Sequence, residues 1–242
     1  MLGMRIVIDA GHGPETPGKR SPDGSLREYQ FNSAVARYVE EALLHYEGVE
    51  ILFTHDDNRD VPLKERTDRA NACNADLFVS IHANAAGDGG WNSAQGIETY
   101  VYTTRPPAAV TLANAVQRNL IRMTGRPDRG VKSANFHVLR ETKMPAILVE
   151  CGFMTNREEC ELLKSDAYRR KCAEAIVAGI VETYGLKRKV ERASLSNMSK
   201  EDAEKIIRFL SAAWFATDNQ TARAEFNRLA NEVRKAAGIP VQ

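Results

Sequence analysis

MRIVIDAGHG, residues 4–13, is the stretch from which the fold can be read. Residues 4–10 form a short run of Ile and Val that ends at Gly11-His12-Gly13, the pattern of a buried strand running into a loop. A helical pattern comes next. From Glu28 to Tyr46, apolar residues recur at helical spacing as Phe31, Val35, Val39, Ala42 and Tyr46.

Working outward, strand and helix patterns keep alternating to about residue 185. Val49–Thr54 reads as a second strand, and Leu63–Cys73 as a helix introduced by Pro62. Leu77–Ile81 is a third strand ending at His82. A loop with four glycines and Trp91 spans residues 83–96. Ile97–Tyr102 alternates like a strand at or near a sheet edge, and Ala108–Met123 is a helix stopped by Gly125. Ala146–Glu150 is continuously apolar up to its final glutamate, as expected of a central strand. Tyr168–Tyr184 is a helix presenting Cys172, Ile176, Gly179, Ile180 and Thr183 on one face. This order predicts an α/β fold, with helices on both faces of a mostly parallel sheet.

The remaining residues differ in character. Residues 187–199 read as a polar, basic linker, and 200–242 as a small two-helix segment. Its first helix starts at Ser199-x-x-Asp202 and carries Ala203, Ile206, Ile207, Leu210 and Trp214 on one side. The second carries Ala222, Phe226, Leu229, Ala230 and Val233 before Gly238 and Pro240. Two helices make a marginal core, so a partner is expected: a second copy in a homodimer, the α/β domain, or a ligand.

Composition narrows the function classes. With 43% apolar residues in 242, the chain can bury a sizeable core. Its 33 Lys and Arg nearly cancel 32 Asp and Glu, so no global basic field points to nucleic acid. No apolar run approaches the ~20 residues of a membrane-spanning helix. The start of the sequence lacks the pattern of a secretory leader, so synthesis in the cytoplasm without a signal peptide is expected. Four cysteines without a CxxC pair suit reduced, mostly buried thiols. Residues 187–242 hold 11 Lys and Arg against 7 Asp and Glu, while residues 1–186 hold 22 against 25. A basic appendage on a mildly acidic domain suits an anionic partner surface.

Two of the five histidines stand at informative places. His12 directly follows the first strand and His82 the third, and sites in open α/β sheets form beyond the strands' carboxyl ends. Glu28 opens the first helix after a loop able to fold back towards His12. Glu150 ends an apolar run, where a lone carboxylate is costly without a partner or a metal. Two imidazoles and a carboxylate suit catalytic zinc, and a further carboxylate suits a general base and acid. The three donors lie 16 and then 54 residues apart, so only the fold can bring them together.

Several motifs together resemble one family. IDAGHG (8–13), Glu28, RTDRANACNADLFVSIHANA (66–85), GIETYVY (96–102), DRGVK (128–132) and VLRETKMPAILVECGFMTN (138–156) are similar, in order and spacing, to the zinc-dependent N-acetylmuramoyl-L-alanine amidases of the Amidase_3 type. The likeness covers about residues 4–185. It implies a catalytic domain over 1–186, built on a single twisted sheet of about six strands. It implies one Zn2+ per chain held by His12, Glu28 and His82, with Glu150 as the catalytic glutamate. The implied reaction hydrolyses the amide between N-acetylmuramic acid and L-alanine in bacterial peptidoglycan, in the manner of a phage endolysin or an autolysin acting on the wall after release. A zinc exopeptidase of related fold and a non-catalytic wall-binding protein are the competing readings.

Other residues carry weaker expectations. Arg140 is a candidate for a stem-peptide carboxylate, with a structural ion pair as the rival role. His137 is a candidate for the cleft wall, Asn84 for a substrate hydrogen bond or a loop cap, and Trp91 for stacking on a sugar. His45 and His55 read as structural, Arg66 and Asp68 as parts of a charge network, and Cys151 as packing. The C-terminal segment loosely resembles helical pieces that follow some amidase domains, which implies binding to anionic wall polymers or homodimerisation.

Overall fold

A computed structural model describes residues 3–189 and 198–241. The chain divides into two compact units, one ending at Lys189 and one beginning at Val190. The core of the expected linker, residues 190–197, lies outside the described residues. Residues 187–189 run beside residues 45–47: Glu47 N–H donates to Lys187 and Lys189 N–H to His45.

The first unit is one six-stranded sheet in the order β2-β1-β3-β6-β4-β5. Its strands are β1 (Met4–Ala10), β2 (Val49–Phe53), β3 (Leu77–Asn84), β4 (Ile97–Tyr102), β5 (Asp128–Ala134) and β6 (Ala146–Phe153). All neighbours are parallel except β4 and β6, which run antiparallel. The apolar run at 146–150 is central, as its continuous burial requires. β4 lies one strand in from the edge, and the edge itself is β5.

The sheet faces are unequally covered. Ile6, Ile8, Val79, Ile81, Ile147 and Val149 enter a large core that includes residues of α1 (Glu28–Leu43), α3 (Pro107–Thr124), α5 (Arg157–Lys164) and α6 (Asp166–Tyr184). Val7, Phe78, Ala146 and Leu148 point the other way. They meet Ala70 of α2 (Leu63–Ala72) and Val138 and Leu139 of the one-turn α4 (His137–Arg140). The period-2 alternation of strands puts Asp9, Ser80, His82 and Glu150 on this thinly covered face.

Gly179 shows how tightly the thick face is packed. A Cβ there would stand 2.6 Å from Val116 Cγ2 and 2.7 Å from the Val116 Cα, so α6 approaches α3 with only a hydrogen between them. Gly179→Val is expected to destabilise the unit by about 2–3 kcal/mol, because backbone rather than a flexible side chain stands in the way. The denaturant midpoint, read at unchanged m-value, checks this.

All four cysteines are free thiols. Cys151, Cys160 and Cys172 are buried and Cys73 is partly so. The second unit contains α7 (Lys200–Phe215) and α8 (Gln220–Ala236). Ser199 caps α7, accepting from Asp202 N–H at 3.0 Å, and Asn219 caps α8 by accepting from Ala222 N–H at 3.1 Å. Among the described residues, no helix is long and apolar enough to cross a membrane.

Candidate active site and metal centre

The sheet brings together what the sequence keeps apart. His12 sits just beyond β1 with φ 62°, a left-handed conformation uncommon for a residue with a side chain. Glu28 is the first residue of α1, and His82 lies near the end of β3. His12 Nε2 is 3.1 Å from Glu28 Oε2, and His82 Nδ1 is 2.9 Å from Glu28 Oε1. The two rings meet edge to face with centroids 5.1 Å apart. One ligand atom from each of the three residues falls within 4.8 Å of the others. That donor set fits a divalent ion of the zinc type, which takes imidazole nitrogen and carboxylate oxygen in one small cage.

Backbone constraints build this convergence. Gly11 lies against the imidazole of His82, so any Cβ at position 11 would collide with that ring. The buried Asn32, one turn after Glu28 on α1, donates to the Gly11 carbonyl at 2.9 Å and ties the helix to the strand end. Ala83 N–H donates to Glu28 Oε1 at 3.2 Å. Burial pushes Glu28 up, but the hydrogen bonds from His12 and His82 outweigh it and hold the carboxyl far below its usual range.

Beneath His12 lies a buried ion pair. Arg66 Nη1 is 2.8 Å from Asp9 Oδ1, and both side chains are almost wholly buried. Asp9 also accepts from Thr54 at 2.5 Å and Ser80 at 2.6 Å. The same guanidinium donates to the carbonyls of Val61, Ala10 and His12. Arg66 thus fixes the backbone that carries the first histidine. Asp68, read from sequence as part of the same charge network, instead pairs with Lys64 at 2.6 Å on the surface of α2.

Glu150 stands in register with His82 across the parallel β3–β6 pair. Its Oε2 is sealed from solvent and has no hydrogen-bond partner among the described residues. Burial, with the nearby charges of Glu28 and Glu98 adding to it against His82, pushes its carboxyl up to about 8. On the other side, Glu98 of β4 pairs with Glu150 in the antiparallel register. Glu98 has its own partners: Lys132 at 2.5 Å, Arg129 at 2.7 Å, Tyr100 at 2.7 Å and Asn84 at 2.8 Å. Burial raises it, yet these partners hold it down at about 2. The two neighbouring glutamates are therefore driven to opposite protonation states.

A stability consequence follows for the metal-free protein. A carboxyl whose folded value lies near 8 favours the fold at low pH, and that contribution is lost as pH rises from the ordinary carboxyl range through 8. Glu150→Gln removes this dependence. In chelator, the variant is expected to gain stability over the wild type between pH 5 and 8, as read from paired thermal melts across about that interval.

A cavity of about 600 Å³ opens over these groups. His12, Glu28, His82, Glu150, Asn84 and His137 line it, as do Lys19 and Phe136, which sequence reasoning did not single out. His137 Nε2 stands 3.4 Å from Thr67 Oγ1. The Asn84 amide is engaged by Glu98. Arg140 is not among the lining residues: its guanidinium holds Glu141 at 2.7 Å and Asn135 at 2.6 Å. Trp91 is also absent from the lining, and Arg157 stacks over its ring at 4.5 Å. His55 is buried and accepts from Ala10 N–H at 3.2 Å, a structural role.

Fold and site together define a class: an α/β enzyme with a candidate divalent-metal centre at the carboxyl edge of its sheet. Residues 6–182 match the family model described as N-acetylmuramoyl-L-alanine amidase, Amidase_3, and the chain belongs to that family of peptidoglycan amidases. The N-acetylmuramoyl-L-alanine amidase CwlM of Bacillus licheniformis is 35% identical over 184 residues, 76% of this chain and 70% of that protein. The endolysin of Bacillus phage SPP1 is 35% identical over 194 residues, 78% and 69% of the two chains. An N-acetylmuramoyl-L-alanine amidase from Clostridium difficile 630 superposes with a TM-score of 0.71 at 34% identity, over 75% of this chain and 97% of that one.

Proposed function

We propose that this amidase is zinc-dependent, binds one ion per chain, and cleaves the amide joining N-acetylmuramic acid to L-alanine so that the wall is lysed. The observation that carries the reading is the convergence of His12, Glu28 and His82 beside the unpartnered Oε2 of Glu150. His12, Glu28 and His82 would hold the ion, which when bound supplies the Lewis acidity that activates water and polarises the amide carbonyl.

The remaining chemistry belongs to the chain. Glu150 takes a proton from the attacking water at Oε2 and returns it to the departing L-alanine nitrogen. An amide nitrogen leaves poorly, so the return is as necessary as the removal. A high proton affinity suits the return, and the charge of a bound ion would lower it towards what the removal needs. Arg66 keeps the His12 backbone in place without touching substrate. Asn84 and His137 flank the reacting bond from the cavity wall.

Chelation is expected to abolish release of stem peptides from the glycan of purified peptidoglycan, and added Zn2+ to restore it. Mass analysis of the products checks the bond: new amino termini on L-alanine support the amidase. Products trimmed from a free peptide terminus would sink it in favour of an exopeptidase. Kinship with a phage endolysin supports a lytic role after release from the cytoplasm. For residues 187–242 we infer attachment to anionic wall polymers, given their net +4, of which Lys187, Arg188 and Lys189 at the end of the first unit supply three charges. Sedimentation with walls at low and high salt separates this from homodimerisation.

A further inference from the structure

We propose that Lys19 is a specificity-determining residue, whose ammonium binds a stem-peptide carboxylate on the leaving-group side of the scissile amide. The inference rests on the amidase reading above and deepens it. Charge accounting in the cavity carries it. Of the two cationic side chains in the lining, Arg66 is buried and spent on Asp9 and three backbone carbonyls. Lys19 is exposed, and its ammonium makes no hydrogen bond or ion pair among the described residues.

Its position is nonetheless fixed. The Lys19 carbonyl accepts the Glu28 N–H at 2.9 Å, so the lysine is clamped to the first residue of α1. Arg20 and Arg27 bridge in antiparallel fashion, and Ser21 N–H donates to Leu26 at 2.8 Å, closing residues 20–27 into a braced excursion. Lys19 therefore stands beside the reaction centre at a set distance from Glu28, whereas Arg140, the cation expected to meet a carboxylate, is occupied outside the cavity. Glu28, Glu150, Asp9 and Asp60 also line the cavity and offer an anion no cation, so away from the candidate metal centre Lys19 is the open Lys or Arg side chain among the described lining residues. A single exposed ammonium acts as a screened point charge, so its contribution is moderate and salt-dependent.

The test uses the full chain loaded with zinc and two soluble muropeptides. They differ only in whether the residue after L-alanine carries a carboxylate or the corresponding carboxamide. The wild type is expected to prefer the carboxylate about tenfold in kcat/KM, through KM, with the preference shrinking in high salt. Lys19→Gln should bring the ratio to about one, Lys19→Arg should keep it, and Lys19→Glu should invert it. Equal cleavage of both substrates by the wild type, or a preference that survives in Lys19→Gln, would overturn the proposal and leave the amidase reading intact. Cleavage of neither at the L-alanine amide would overturn both.

Discussion

Glu150→Gln is expected to lose about 10²–10⁴-fold in turnover while keeping its metal. Glutamine has nearly the same shape and retains a carbonyl oxygen, so β6, the register with His82 and the neighbouring ligand set are preserved. What disappears is the capacity to accept a proton and return it. The loss should fall in kcat, since the step affected is proton transfer in the transition state. Metal analysis on the same preparation separates this from ligand loss, which His12→Ala or His82→Ala should cause instead. A Glu150→Gln enzyme with normal turnover would remove this residue from the chemistry, and one that has lost its metal would make it a ligand.

Arg66→Met should produce the largest stability effect. It leaves Asp9 buried without its cation and strips donors from three carbonyls. Breaking one partner of a buried pair typically costs about 3–5 kcal/mol, whereas replacing both partners is often nearly neutral. Asp9→Asn together with Arg66→Met should therefore recover much of the loss, although the carbonyl of His12 stays without its donor. Denaturation midpoints of the two single variants and the double variant give the coupling directly. Zinc affinity should fall in Arg66→Met even where the protein is still folded, because the left-handed backbone at His12 loses its brace. The pair also sets acid tolerance. Burial raises Asp9, but Arg66, Ser80 and Thr54 bring it below its ordinary value. Its contribution is thus present above the usual carboxyl range and lost as pH falls through the lowered one.

The parts of this molecule that were legible in sequence are those where one physical signal dominates. The apolar runs of β1, β3 and β6 lead into polar residues, and a buried strand leaves little else to read, although β6 continues past the expected end at Glu150 to Phe153. His12 lies just beyond β1, His82 near the end of β3 and Glu150 midway along β6, so recognising the strands also located these candidates. β5 was not legible as a strand: Asp128–Ala134 sits at the sheet edge, has no fully buried residue, and shows no apolar alternation. α4 is one turn long, below the length at which periodicity exists, and the eight-residue α5 is announced mainly by its Asn156 cap.

Lys19 was invisible for a related reason. It lies in a loop between elements, and its place in the cavity comes from one backbone hydrogen bond to α1. Arg140 shows the converse. Ten residues before Glu150 is close in the chain, but the one-turn helix carries its guanidinium to Asn135 and Glu141. Trp91, set in a glycine-rich loop, looked free to meet a sugar and instead has Arg157 over its ring.

The register of β6 has a consequence for redesign. Glu150 is ladder-paired on both sides, to His82 in one neighbour and Glu98 in the other, so the proposed catalytic glutamate belongs to rigid scaffold. The 14–27 excursion that delivers Lys19 is a distinct loop on that scaffold, joined through main-chain links, the Thr16–Asp60 hydrogen bond and the buried Leu26. Exchanging that loop for one from a relative offers a route to retargeting the enzyme to differently decorated walls without rebuilding its reactive machinery.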